Sequence, residues 1–239
     1  MSCQLRSPNL VVTISQKSDG NCYFAPTGNP EVDEATPVNR ATFIAKNSVP
    51  KSCLVTAGLT HGSEVRRAVP ADGGTIIQDV DALFTDERDL FLSITVADCL
   101  PIFLFDPATQ TVGLIHAGWR GLAANIVTKT ISAMIEHCDV RAKTLLVGIG
   151  PCIGPCHFEV KEDVARRFEA FPSAVVYSDG KFFIDLPMVA RAQLMATGVV
   201  EKNITTMGIC TYDHAEKYFS YRRDKPAFKE TMMAVIGLR

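Results

Sequence analysis

Four apolar runs crowd into one short stretch: ALFTD (82–86), FLSITVAD (91–98), PIFLFD (101–106) and TVGLIHA (111–117). Each is rich in β-branched and aromatic residues and is bounded by turn formers, which is the signature of successive strands. DPATQ (106–110) supplies a turn between the last two, so these should form a hairpin. Strand following strand in this way excludes the strict alternation of a doubly wound parallel sheet. Further strands are expected at CLVTAGL (53–59), TLLVGIG (144–150), AVVY (174–177), FFID (182–185) and TMMAVIGL (231–238). Helical spacing of apolar residues marks VNRATFIAKN (38–47), LAANIVTKTISAMIEHC (122–138), VKEDVARRFEAF (160–171) and LPMVARAQLMATG (186–198). Residues 16–40, full of turn formers, read as a long surface loop. The expected fold class is α+β, and with no linker in the sequence, residues 1–239 are expected to form a single domain.

Charge and hydropathy narrow the function. Twenty-four basic against 26 acidic residues give a net charge of -2, a poor footprint for general nucleic-acid binding. The longest apolar stretch, residues 91–105, is broken by Asp98 and Pro101. It falls short of the roughly 20 residues of a membrane helix. MSCQLRSPNLVVTIS lacks the apolar core and cleavage site of a secretory signal, so the eight cysteines are expected to be reduced and the chain cytoplasmic. No obligate protein partner is evident.

His61 and His116 each end an apolar run and are followed within two residues by glycine, which leaves room beside the imidazole. Cys99 ends a third such run, in ADCLP. If these strands are neighbours, their ends meet at one sheet edge. Two imidazoles and a thiolate then leave tetrahedral zinc a vacant fourth position, the arrangement of a catalytic site, where bound water becomes acidic. Copper suits the same donors. The alternative is that Cys99 is a small buried hydrophobe and the histidines are hydrogen-bonded core groups. In HAGWRG a helix is expected to begin around Arg120 or Gly121, making Arg120 and the helix start an anion receptor and Trp119 a stacking surface; core filling by Trp119 is the alternative. Asp98, beside Cys99, could orient a metal ligand, act as a base or cap a backbone turn. Cys152, Cys156 and His157, in GPCIGPCHFEV, form a rival metal set that lacks a matching partner elsewhere and reads as a turn. SYRR (220–223) is a solvated edge or a second anion contact, and His137 a surface residue.

Assembled, VNR (38–40), HGSEV (61–65), DALFTD (81–86), TVADCLPIFLFD (95–106), GLIHAGWRGL (113–122), GIGPCIG (148–154), FEV (158–160), IDLP (184–187), CTYD (210–213) and FSYRR (219–223) resemble the YfiH/laccase-domain family. The resemblance implies a layered α-β-β-α sandwich, similar to the catalytic fold of cytotoxic necrotising factors, with zinc on His61, Cys99 and His116 as the catalytic centre. It implies phosphorolysis of purine nucleosides and deamination of adenosine, with nucleoside and phosphate as partners; by their own chemistry Arg120, the helix start and Arg40 or Arg222 suit the phosphate, and Trp119 suits stacking on a flat base. Other activities that go with the resemblance are copper-dependent phenol oxidation and editing of peptidoglycan precursors. A metal-free hydrolase or deamidase with Cys99 as nucleophile and His116 as base is a distinct reading, and a metal-containing, non-enzymatic binder is another. The chain departs from the family pattern at Leu59-Thr60, in ISQKSDGNCYFAPTG (14–28) and at Lys229-Glu230-Thr231.

Overall fold

A computed structural model describes residue 5, residues 7–225, residue 227 and residues 229–239. Cys3 and the first residues of the stretch read for a secretory signal lie outside them. In chain order the elements are β1 (Leu10–Ile14), α1 (Pro30–Lys46), β2 (Leu54–Gly58), β3 (Val65–Arg67), β4 (Ile76–Gln78), β5 (Ala82–Thr85) and β6 (Phe91–Val96). Next come β7 (Leu100–Asp106), β8 (Thr111–Ala117), α2 (Trp119–Ala123), α3 (Ile126–Cys138), β9 (Leu146–Ile149), β10 (Glu159–Val160) and α4 (Glu162–Ala165). The chain ends with β11 (Val175–Ser178), β12 (Lys181–Ile184), α5 (Leu186–Ala196), β13 (Ile204–Thr206), α6 (Tyr221–Asp224) and β14 (Met232–Leu238).

The strands make a five-stranded sheet, β1-β14-β6-β2-β4, a six-stranded sheet, β13-β9-β7-β8-β5-β3, and a small sheet, β10-β12-β11. The two large sheets pack face to face. Leu92, Ile94, Ala234 and Ile236 from one meet Phe103, Phe105, Val112 and Leu114 from the other. Because side chains alternate along a strand, the opposite faces are free for helices. Phe84, Ile102, Leu104 and Ile115 pack beneath Ile131 and Met134 of α3 and Val189 and Leu194 of α5. Phe43 and Ile44 of α1 cover Phe91, Met233 and Val235 on the far side. The result is the layered α-β-β-α arrangement, and the β7–β8 hairpin closes through DPATQ as expected.

Three helices differ from the sequence reading. The first begins at Pro30, inside the expected loop, because Asn29 caps it by accepting from the Glu31 and Val32 N–H groups and Pro30 takes the tolerated first position. Pro37 is carried in its interior. The helix expected over 122–138 is split at Asn125, whose φ is 60°. That expected over 160–171 shrinks to α4 and a 3-10 turn, Arg166–Phe168. Among the described residues no helix is long and apolar enough to cross a membrane.

Candidate metal centre and cavity

The residue before Cys99 marks where the chain leaves one large sheet for the other. β6 belongs to the five-stranded sheet and β7 to the six-stranded one, and Asp98, with φ 82°, makes the bend between them. His61 follows β2, the neighbour of β6 in the first sheet, while His116 lies on β8 in the second. The three side chains therefore meet between two sheets, not along one sheet edge as the strand reading expected. His116 shares its face of β8 with Val112 and Leu114, which places its ring in the layer between the sheets.

One nitrogen of each imidazole and the Cys99 sulfur lie within 4.8 Å of one another. The two rings stand edge to face, 4.8 Å between centroids. Gly118 makes the space: a Cβ there would sit 3.2 Å from Cys99 Sγ and 3.6 Å from the His61 ring. A thiol and two imidazoles around a gap that a methyl group would fill suit a soft or borderline divalent ion such as zinc, with one side left to the cavity.

Sequence reasoning missed the residue that organises this cluster. Asp81 is fully buried, and its carboxylate accepts from the N–H groups of Thr60 (3.3 Å), His61 (2.9 Å) and Gly62 (2.7 Å) and from the Thr60 hydroxyl (2.9 Å). His116 Nδ1 lies 2.8 Å from the same carboxylate. These bonds hold His61 in a left-handed conformation, φ 59°, that a β-carbon disfavours. They also fix the His116 ring so that its other nitrogen is the one free to ligate. The available signal was a carboxylate directly before an apolar strand, in DALFTD.

Burial pushes the Asp81 carboxyl up, but the His116 hydrogen bond and charge, with the Gly62 and Thr60 donors, prevail and bring it to about 2. Burial likewise opposes charge on Cys99, yet the neighbouring His116, aided by His61, lowers the thiol to about 6. For His116, burial is outweighed by Cys99 and Asp81, and it rises to about 9. Each of the two groups thus favours the charged form of the other.

The cluster opens on a cavity of about 470 Å³ that Trp119, Arg120 and Arg222 also line. Arg120 is exposed and its guanidinium stacks 4.3 Å over the Trp119 ring, and among the described residues no carboxylate pairs with it. Arg222 donates to the carbonyls of His157 and Glu159 at 3.3 and 2.8 Å, and its backbone N–H to Asp98. Arg40 does not line the cavity; its guanidinium is turned to the Tyr23 carbonyl, 3.1 Å away. The helix start is also weaker than expected, since α2 begins at Trp119 and has only five residues. His137 is exposed, as read from the sequence. Of the positions at which the chain departs from the family pattern, Tyr23, Phe24, Leu59, Lys229, Glu230 and Thr231 line the cavity. Thr231 Oγ1 is buried there without a hydrogen-bond partner among the described residues.

A fold of two packed sheets flanked by helices, with a thiol and two imidazoles between them, defines a class, and the chain belongs to it: the family described as multi-copper polyphenol oxidoreductase laccase matches residues 27–239. Among its relatives is the purine nucleoside phosphorylase YlmD of Geobacillus stearothermophilus, 32% identical over 222 residues, 87% of this chain and 81% of that one. The purine nucleoside phosphorylase YfiH of Escherichia coli is 31% identical over 191 residues, covering 78% and 75%. The crystal structure of YlmD from Geobacillus stearothermophilus superposes with a TM-score of 0.87 at 28% identity, covering 97% of this chain and 93% of that one. The Bacillus licheniformis protein YfiH gives the same score at 26% identity, covering 96% and 93%.

Proposed function

We propose that the chain is a zinc-dependent purine nucleoside phosphorylase that also deaminates adenosine. The observation that carries this reading is one cavity in which a three-donor cluster, aromatic faces and an unpaired guanidinium share the wall. His61, Cys99 and His116 would hold the ion, and Lewis-acid activation is the chemistry such an ion supplies when bound. The names of the relatives support nucleoside and phosphate as substrates.

In phosphorolysis a phosphate oxygen bonds to the ribose C1′ as the bond to the purine nitrogen breaks. The electron pair leaves with the purine, which takes up a proton, and ribose 1-phosphate is the other product. Arg120 neutralises the phosphate beside the sugar, and the Arg222 guanidinium, anchored by two carbonyls, adds a second positive wall. Trp119, Phe24 and Phe158 offer aromatic faces to the base. The Thr231 hydroxyl, without a partner among the described residues, offers a hydrogen bond to a ligand. Asp81 keeps His116 oriented and the 60–62 backbone in place throughout. In deamination water adds at the purine C6 and ammonia leaves, giving inosine.

Adenosine incubated with phosphate and zinc-loaded protein is expected to yield adenine and ribose 1-phosphate, and without phosphate only inosine. No adenine, hypoxanthine or inosine from such a sample would overturn the reading. A second reading rests on the contact of Cys99 with His116: a thiol hydrolase with Cys99 as nucleophile. Metal-free protein that hydrolyses its substrate and is silenced by alkylation at Cys99 would favour it.

A further inference from the structure

The GPCIGPCH turn finds the partner that it lacks in the sequence. The 150s loop lies against CTYD, where Thr211 N–H donates to the Cys152 carbonyl at 2.9 Å and Cys152 N–H to the Ile209 carbonyl at 3.2 Å. The Cys152 thiol is buried and stands outside the donor set. Beside this bridge Cys156, His157, Cys210 and Asp213 converge, each offering one donor atom within 4.8 Å of the others.

The spacing of these donors is that of a coordination sphere. Bonds of about 2.3 Å to sulfur and about 2.0 Å to nitrogen or oxygen, at tetrahedral angles, put two sulfurs about 3.8 Å apart, sulfur and a light donor about 3.5 Å, and two light donors about 3.3 Å. Here Cys156 Sγ and Cys210 Sγ are 3.7 Å apart. His157 Nδ1 lies 3.2 Å from Cys156 Sγ and 3.9 Å from Cys210 Sγ. Asp213 lies 3.6 Å from Cys156 Sγ through one oxygen and 3.3 Å from His157 Nδ1 through the other. The surroundings hold these donors in place. The His157 ring stacks on Tyr212 at 3.9 Å and 11°, and Gly154 N–H donates to Cys210 Sγ at 3.3 Å. Gly154 also leaves the sulfurs room, since a Cβ there would come within 3.1 Å of Cys156 Sγ. Two thiols and a carboxylate meet with one imidazole, and among the described residues no lysine or arginine pairs with Asp213.

We propose that Cys156, His157, Cys210 and Asp213 form a second, closed, structural site for zinc. Its four donors fill the tetrahedron, so it leaves no position for substrate, in contrast to the three-donor cluster. What it ties together is a wall of the cavity. Thr211, next to Cys210, donates to Asp98 at 2.6 Å, and the carbonyl of His157 receives Arg222. The ion joins two loops more than 50 residues apart and thereby steadies Asp98 and Arg222. The site stands independently of the reaction proposed above.

Zinc is counted after equilibration with zinc chloride under reductant and removal of the excess. The full chain is expected to hold about two ions, and His61→Ala and the double variant Cys156→Ser/Asp213→Ala about one each. In a second measurement, on the unsubstituted protein, iodoacetamide should label Cys210 at least about tenfold faster after chelation than in the zinc-loaded state, because ligation masks the sulfur. Should the double variant misfold, this second measurement decides. Equal zinc in the double variant and the full chain, equal labelling with and without zinc, or a Cys156–Cys210 disulfide that persists under reductant would overturn the proposal.

Discussion

Asp81→Asn removes one charge and almost no volume, which makes it the sharpest probe of how the three-donor cluster is built. The carboxylate accepts five hydrogen bonds, whereas the amide turns an NH₂ group towards donors. Folding lowers its pKa from 3.8 to about 2. At about 1.4 kcal/mol per unit, the charged state contributes about 2 kcal/mol to the stability of the metal-free protein. A depressed carboxyl contributes fully above its unfolded pKa and loses that contribution as pH falls through its folded one. The deficit of the variant should therefore be about 2 kcal/mol at pH 6 and shrink by about half at pH 3. With an unfolding entropy of about 2 cal/mol/K per residue, this lowers the melting temperature by about 4 °C at pH 6. Urea unfolding of chelator-treated protein at both pH values measures the gap, and zinc affinity should fall about 10- to 100-fold. A deficit that is the same at pH 6 and pH 3, or unchanged zinc affinity, would refute the role given to this carboxylate.

The same geometry sets three further outcomes. Gly118→Ala, at φ -74°, costs no backbone strain, so it should fold normally while its methyl, 3.2 Å from Cys99 Sγ, weakens zinc binding at least about tenfold in a competition assay. Zinc affinity at the three-donor cluster should rise about tenfold per pH unit from 7 towards 9 and then level off. The ion displaces the proton that His116 holds up to about 9, while Cys99, at about 6, is already deprotonated; a flat profile in calorimetric titrations of the Cys156→Ser/Asp213→Ala protein would contradict this. Arg120→Ala should raise the KM for phosphate at least about tenfold with little change in that for adenosine, as initial-rate kinetics would show.

What the sequence made legible was local. The runs from Ala82 to Ala117 announce their strands because each is uniformly apolar and ends in turn formers, and the hairpin is marked by DPATQ. The cluster donors could be picked out because each ends such a run. What it hid was which strands share a sheet: nothing in ADCLP says that the chain crosses there from one sheet to the other, so convergence was expected at one edge. Asp81 escaped notice because its five donors come from residues about 20 and 35 positions away. Arg40 looked available because the sequence does not reveal that the Tyr23 carbonyl occupies its guanidinium. The start of α1 was readable in Asn29-Pro30, a cap followed by a first-turn proline, but was masked by the turn formers around it. The second donor cluster was half visible: Cys156 and His157 adjoin, while Cys210 lies 54 residues beyond Cys156.

Anomalous diffraction at the zinc edge, on crystals grown with zinc and adenosine, tests the central claim most directly. A peak is expected about 2.0–2.3 Å from one nitrogen each of His61 and His116 and from Cys99 Sγ, with the remaining side facing the cavity. A map with no peak there, in protein whose three side chains stand as described, would contradict the claim.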